Sequence, residues 1–388
     1  MLYSVQKLSS LRGTVLSQGQ PLFSEINEVI TMNAIRIPVP AVPFTPPVYV
    51  CRRATRPFTL DGRLDKPFWE DAPFTDAFGD IEGPHMPAPR FRTRAKMLWD
   101  DEYFYFGAQI EGDEIWGHIV DRDAVIFHDN DFEIFIDPDS DTQQYYEFEM
   151  NVLNTVWDLF LPVAYRDGGS GLNGYDMHGL RTAVHVDGTV NDPGASNKSW
   201  SVEVVIPFAA LTECLVDKRP PRDGEYYRVN FSRVQWKVDV VDGAYQKRTD
   251  PATGRPLPED NWVWAPTGVI NIHYPELWGF VFFADSDRDD SAYTIPENER
   301  RKWELRKVYY AQQIYRDLSG SYCADPEALA KTLRDHAPNE LNTGWDAPGL
   351  RIETTSHSFE LSCDAAEEGR RIVLAGNGKA GIAEESWR

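Results

Sequence analysis

HDNDFEIFIDPDSDTQQYYEFEMNVLNTVWD, residues His128–Asp158, decides how this chain folds. It reads as two β-strands of strict alternation joined at an acidic turn. In the first, Phe132, Ile134 and Ile136 share one face, and Asp131, Glu133 and Phe135 share the other. In the second, Phe148, Met150 and Val152 oppose Glu147, Glu149 and Asn151. Side chains alternate across a strand, so each strand offers an apolar face to a core and a polar face to something else. A merely solvated face mixes Lys, Thr and Ser with acids. Carboxylates and carboxamides interrupted by aromatics are the chemistry of a surface that grips hydroxyls or a cation.

Outward from that pair, residues 49–285 carry many short alternating runs, among them KMLWD, YFYFGAQI, WDLFLPVAY, SWSVEVVIP, YYRVNFSRVQW and WGFVFFA, separated by Gly, Asp and Pro turns. This pattern predicts a mainly β fold, a two-sheet antiparallel β-sandwich of jelly-roll type. LDKPFWEDA and PFAALTECL amount to one or two helical turns each. Residues 1–48 read as a leader followed by a Pro-rich extended tether (RIPVPAVPFTPP), with Met32 an alternative start. Residues 286–388 read as a small α+β extension. ENERRKWELRKVYYAQQIYRDLSGSY has helical spacing, with a Tyr309, Gln312, Tyr315 stripe expected to pack back on the sandwich. DPEALAKTLRDH opens with an N-cap Asp and a first-turn Pro, and a few strands follow.

The 388 residues include 12 Trp, 17 Tyr and 20 Phe, and the net charge is −22. So acidic a chain lacks the basic footprint that nucleic acid demands and the charge that anionic membranes attract. No apolar run is long enough to span a bilayer, and the first residues lack the apolar core of a secretory signal. A cytoplasmic setting is the expectation, with secreted or periplasmic as the alternative. Cys51, Cys214, Cys323 and Cys363 are scattered, without metal-site spacing and without implying a disulfide framework. There is no phosphate loop, dinucleotide fingerprint or nucleophile elbow.

Several groups are candidates for chemistry. The acidic face, Asp131, Glu133, Glu147, Glu149 and Asn151, can accept hydrogen bonds from vicinal diols. Glu133 with Glu149, together with His273, would alternatively serve general acid/base work. Packed carboxylates repel unless a cation or a shared proton intervenes, and Arg233, Arg166 and Lys237 are candidate neutralisers. Asp137, Asp139 and Asp141 alternate as in oxygen-rich calcium loops, without the Gly and Glu of an EF-hand; a solvated turn is the other reading. Trp264, His273 and Tyr274, near Phe127, are expected to form a ligand wall, with Trp236 closing a strand of the same face. Met97 and Met150 fall on core faces and suggest no haem ligation.

FTLDGRLDKPFWEDA, KMLWDDEYFYFGAQI, DNDFEIFIDPD, WSVEVVIPFAAL, YYRVNFSRVQW and YPELWGFVFF, in that order, resemble the family 9 carbohydrate-binding modules and their stand-alone relatives within the DOMON-type β-sandwich group. The resemblance implies a sandwich that holds sugar between stacked aromatics, with structural calcium in some members. It matches Glu133 to an acid that contacts sugar hydroxyls, Asn151 and Asn230 to amides on neighbouring strands, and Phe127 to one tryptophan of the aromatic pair. The second tryptophan is replaced within Asn271, Ile272, His273 and Tyr274, and Glu149 stands where an arginine would help hold the sugar. The function expected is therefore binding of a mono- or oligosaccharide on the acidic/aromatic face. The alternative is an enzyme acting on a sugar or other small molecule there.

Overall fold

The computed structural model describes residues 35–285 and 289–385. Ile37–Arg388 forms one compact unit; of the preceding unit, Met1–Arg36, only residues 35 and 36 are described. The expected leader therefore lies almost wholly outside the described residues.

Fourteen strands precede the extension: β1 (Val48–Arg53), β2 (Gly79–Asp80), β3 (Thr93–Trp99), β4 (Tyr103–Glu111), β5 (Asp131–Asp137), β6 (Tyr145–Asn151), β7 (Val156–Leu161), β8 (Arg181–Asp187), β9 (Ser199–Pro207), β10 (Tyr226–Gln235), β11 (Val238–Val241), β12 (Ala244–Lys247), β13 (Asp260–Val263) and β14 (Gly279–Ala284). Ten pair in the order β7-β6-β5-β10-β14-β1-β3-β4-β9-β8, with β13 attached to β10 and β2 to β13. The mainly β sandwich forms from this one curled sheet. Its halves meet across a core where Phe106 of β4 touches Phe231 of β10, ring centroids 6.0 Å apart. Pairing is antiparallel except at β1, which runs parallel to both β14 and β3.

Alternation sets the layers. Phe132, Ile134 and Ile136 of β5 and Phe148 and Met150 of β6 enter the core with Phe104, Phe106, Val202 and Val204 from the far half. Each such side chain contributes roughly 1.5–3 kcal/mol by leaving water. The LDGRLD…W motif closes the far edge through Glu203 of β9. Its carboxylate accepts from the N–H of Asp61 (2.9 Å) and Gly62 (2.8 Å) and from Trp69 Nε1 (2.7 Å). Gly62 is required there: its φ is +77°, and a Cβ would lie 2.5 Å from the backbone of Val184 and His185.

The Pro-rich segment lacks regular structure, as extended chain should, yet it is packed rather than a free tether. Ile37 and Val42 are buried, and Phe44 stacks on Trp303 at 5.0 Å. The extension comprises a long helix, Glu297–Ser319, stopped by Gly320 at φ +83°. A second helix, Pro326–His336, is capped by the Asp325 carboxylate. An antiparallel sheet follows: β15 (Arg351–Thr354), β16 (Phe359–Asp364), β17 (Arg370–Ala375) and β18 (Ala380–Glu384). Tyr309 and Gln312 of the expected stripe are buried, while Tyr315 is only half-buried. Among the described residues no helix is long and apolar enough to cross a membrane, and the four cysteines are free thiols.

Candidate functional site

Register brings the acids of β5 and β6 together. Glu133 lies opposite Glu149, Asp131 opposite Asn151, and Phe135 opposite Glu147. On the other side Glu133 faces Ser232 of β10, and Glu149 faces Trp157 of β7. The face expected to be an open polar surface is almost closed: Asp131, Glu149, Glu147 and Glu133 are 0, 2, 5 and 6% exposed. Phe135 leaves it to join Tyr145, Leu159, Leu161 and Trp278 in a second apolar cluster.

The rings at the rim come from three short elements. Phe127, half-buried in the turn before β5, approaches Trp157 of β7 with centroids 6.4 Å apart. Tyr165, 41% exposed in the turn after β7, meets the His273 ring edge-on at 4.6 Å. Tyr165 is the rim member missed among the candidates, while Trp157 was expected only to end a strand of the same face. The signal for Trp157 was its place directly across from Glu149; for Tyr165 it was only the Gly-rich YRDGG loop.

The electrostatics are severe. Burial pushes the Asp131, Glu147 and Glu149 carboxyls well above the usual range, and their neighbours' charges push the same way. Burial lifts Glu133 to about 7, against a lowering hydrogen bond from Ser232. None of the expected neutralisers arrives. Arg233 bonds Thr93 and Gln235, Arg166 pairs with Glu276 at 2.7 Å, and Lys237 pairs with Asp260 at 2.9 Å. Lys247 lies over the Trp236 ring, 3.3 Å from its centroid. Asp131 Oδ2 and Glu147 Oε2 are buried with no hydrogen-bond partner.

Other candidates prove structural. The Asn151 amide donates to Ile119 O (2.9 Å) and Asp129 (3.0 Å), while its oxygen accepts from Leu153 and Thr155 N–H. Asn230 is clamped to both backbone groups of Ala265 at 2.9 Å. With every polar atom used inside the protein, neither amide is left for a ligand. Trp264 is core, packed on Phe231 and against Gly279. Tyr274 points away from the face, donating to Pro38 O at 2.7 Å under the Arg166 guanidinium. Trp236 is buried and holds the Phe127 carbonyl at 2.9 Å. His273 is at the site, bonded to Tyr145 Oη at 2.9 Å. Burial first, and Arg166 next, lower its pKa to about 3, so it is a neutral imidazole at pH 7.

The acidic turn docks the C-terminal extension. Asp137 accepts from the N–H of Ser140 (3.0 Å) and Thr142 (2.9 Å), and Asp141 pairs with Lys379 at 2.8 Å. Thr142 Oγ1 donates to Gly378 O, and Ser140 Oγ to Glu299. The three carboxylates converge within 4.8 Å, as a cation site requires; Asp137 is engaged by the turn and Asp141 by a lysine ammonium, while Asp139 is exposed. Met97 and Met150 are core packing.

The family described as carbohydrate family 9 binding domain-like matches residues 60–217. Over that segment the resemblance carried by the motifs in order holds, and β5, β6, Phe127, Trp157 and Tyr165 all fall inside it. No curated protein matches the chain. Among solved structures, a protein of Bacteroides uniformis is 14% identical, covers 62% of this chain and 100% of its own, and superposes with a TM-score of 0.46. A family 9 carbohydrate-binding module from Caldicellulosiruptor kristjanssonii in complex with cellotriose is 16% identical (65% of this chain, 99% of its own, TM-score 0.39). The same organism's module in complex with glucose is 15% identical (62% and 98%, TM-score 0.38).

Proposed function

We propose that this protein binds a neutral mono- or oligosaccharide at the mouth of the β5–β6 face. The observation that supports it is the pairing of Glu133 and Glu149 beneath the rings of Phe127, Trp157 and Tyr165, all within the segment that matches the carbohydrate-binding family. Carboxylate oxygens accept from vicinal hydroxyls, and ring faces cover the C–H side of a sugar. Calorimetry of the full chain against plant, algal and microbial sugars tests it. One sugar class should bind, and Glu133→Gln should lose it; unchanged heats across the panel would reject the reading.

A second reading has one observation in its favour. A glutamic acid held up to about 7 beside other carboxyls is matched to proton transfer near neutrality. Turnover of any bound sugar, abolished by Glu133→Gln with affinity kept, would select the enzyme.

A further inference from the structure

Other fully buried acids among the described residues are met by several donors. Asp129 accepts three N–H donors, from His118, Ile119 and the Asn151 amide. Glu203 takes two backbone N–H groups, an indole and Lys66. Glu299 meets Ser140, Tyr226 and Lys302. The β5–β6 set satisfies only some of its oxygens: Glu149 accepts from the Phe127 N–H at 3.2 Å and Glu133 from Ser232. Asp131, fully buried, uses Oδ1 on the Val234 N–H at 3.1 Å and leaves Oδ2 without a partner. One strand over, Glu147 Oε2 is likewise unpartnered. Among the described residues, no Lys, Arg or His forms an ion pair with this set.

Geometry says what is missing. Asp131, Glu133 and Glu149 each offer an oxygen, and the three lie within 4.8 Å of one another. Two oxygens bound to one calcium ion at 2.3–2.6 Å are at most about 5 Å apart, so one ion can touch all three. The donors are carboxylates alone, with no thiolate, and the bonded, neutral His273 belongs to Tyr145. Such hard oxygens select calcium-class ions over zinc or copper. From these contacts we propose that Asp131, Glu133 and Glu149 bind a divalent, oxygen-preferring cation of the calcium class, with Glu147 alongside as a further acceptor. The site is distinct from the Asp137–Asp141 turn, where Asp137 and Asp141 are already engaged. It shares Glu133 and Glu149 with the saccharide reading, but it is defined by protein oxygens and measured without sugar, so each can fail alone.

The test uses the full chain stripped with EDTA and returned to chelator-free buffer. Calcium is titrated by calorimetry, and terbium, a calcium-sized probe, by luminescence sensitised through Trp157, the cross-strand neighbour of Glu149. One site should appear in both. Asp131→Asn and Glu149→Gln, which preserve shape, should each weaken it at least tenfold, while Asp141→Asn should leave it unchanged. Circular dichroism confirms that each variant is folded. Absence of calcium heat and terbium signal in the parent would overturn the proposal. So would binding that survives both site variants, or binding lost only in Asp141→Asn.

Discussion

Arg166 grips Glu276 through two parallel hydrogen bonds, Nη1 to Oε1 at 2.7 Å and Nη2 to Oε2 at 2.8 Å, with both side chains buried. Tyr310 adds a third bond to Oε1 at 2.6 Å, and Arg306 stands 3.6 Å away. Arg166 follows β7, Glu276 precedes β14, and Tyr310 and Arg306 come from the long helix. One carboxylate thus joins the edge of the sandwich to its extension. Beside Arg166 sits Tyr165, so the same bond fixes the rim of the candidate site.

Glu276→Ala would leave Arg306 buried without a counter-charge and Arg166 with Asp167 alone. Removing one partner of such a pair costs about 3–5 kcal/mol. Urea unfolding of the full chain should show a loss of that size. A loss below about 1 kcal/mol would mean that the guanidinium groups find other acceptors on opening.

Acid should act through the same group. Burial alone would raise the Glu276 carboxyl, but Arg166 and Arg306, with the Arg166 and Tyr310 hydrogen bonds, hold it at about 2. Asp167, Tyr274 and Arg228 are the other titratable groups near this network. A carboxyl lower in the folded than in the unfolded chain stabilises above its unfolded value, and that stability is lost as pH falls from about 4.5 to about 2. The shift is worth on the order of 3 kcal/mol. His273, held near 3, adds a loss in the same direction, beginning below its ordinary 6.5. The raised carboxyls of Asp131, Glu133, Glu147 and Glu149 act the other way as pH falls toward 4.5. The Glu276 loss is therefore read as a fall in melting temperature below about 4.5. In Glu276→Gln that fall should flatten.

The tryptophans divide by burial. Trp264→Ala empties a core site against Phe231 and should cost about 3–5 kcal/mol of stability. Phe127→Ala and Trp157→Ala remove half-buried rim rings and should weaken saccharide binding about tenfold each, near 1.4 kcal/mol, with a smaller loss of stability. Parallel melts and calorimetry separate the two classes. Equal stability losses without any affinity loss would place the rim among the structural rings.

That division marks what the sequence could and could not disclose. Alternation assigned Phe132, Ile134, Phe148 and Met150 to the core, because period two is a local property of a strand. The convergence of Glu133 with Glu149 followed from the same local pattern. Burial did not, because it depends on what covers the face: alternation says that Phe135 and Glu147 share a side and nothing of the Tyr145–Trp278 cluster beside them. Asn151 and Asn230 looked like ligand amides, since the Ile119 and Ala265 backbone groups that saturate them lie far away in sequence. The docking role of DPDSD was hidden for a similar reason: its partners, Glu299, Gly378 and Lys379, come from the extension more than 150 residues later.

The saccharide and the cation, if they share the β5–β6 face, are thermodynamically coupled. A calcium ion held by Asp131, Glu133 and Glu149 needs six to eight oxygens, and these residues cannot supply that number with one or two oxygens each while Asp131 Oδ1 serves Val234. Vicinal hydroxyls entering beside Glu133, the most exposed of the four acids, would complete the shell. Coupling is reciprocal: whatever factor calcium adds to sugar affinity, sugar adds to calcium affinity. Calorimetry should show sugar affinity falling at least tenfold in EDTA, and calcium affinity rising by the same factor in saturating sugar. Sugar affinity indifferent to EDTA would instead assign the hydroxyls to the aromatic rim and direct carboxylate bonds, with the cation confined to the closed part of the face.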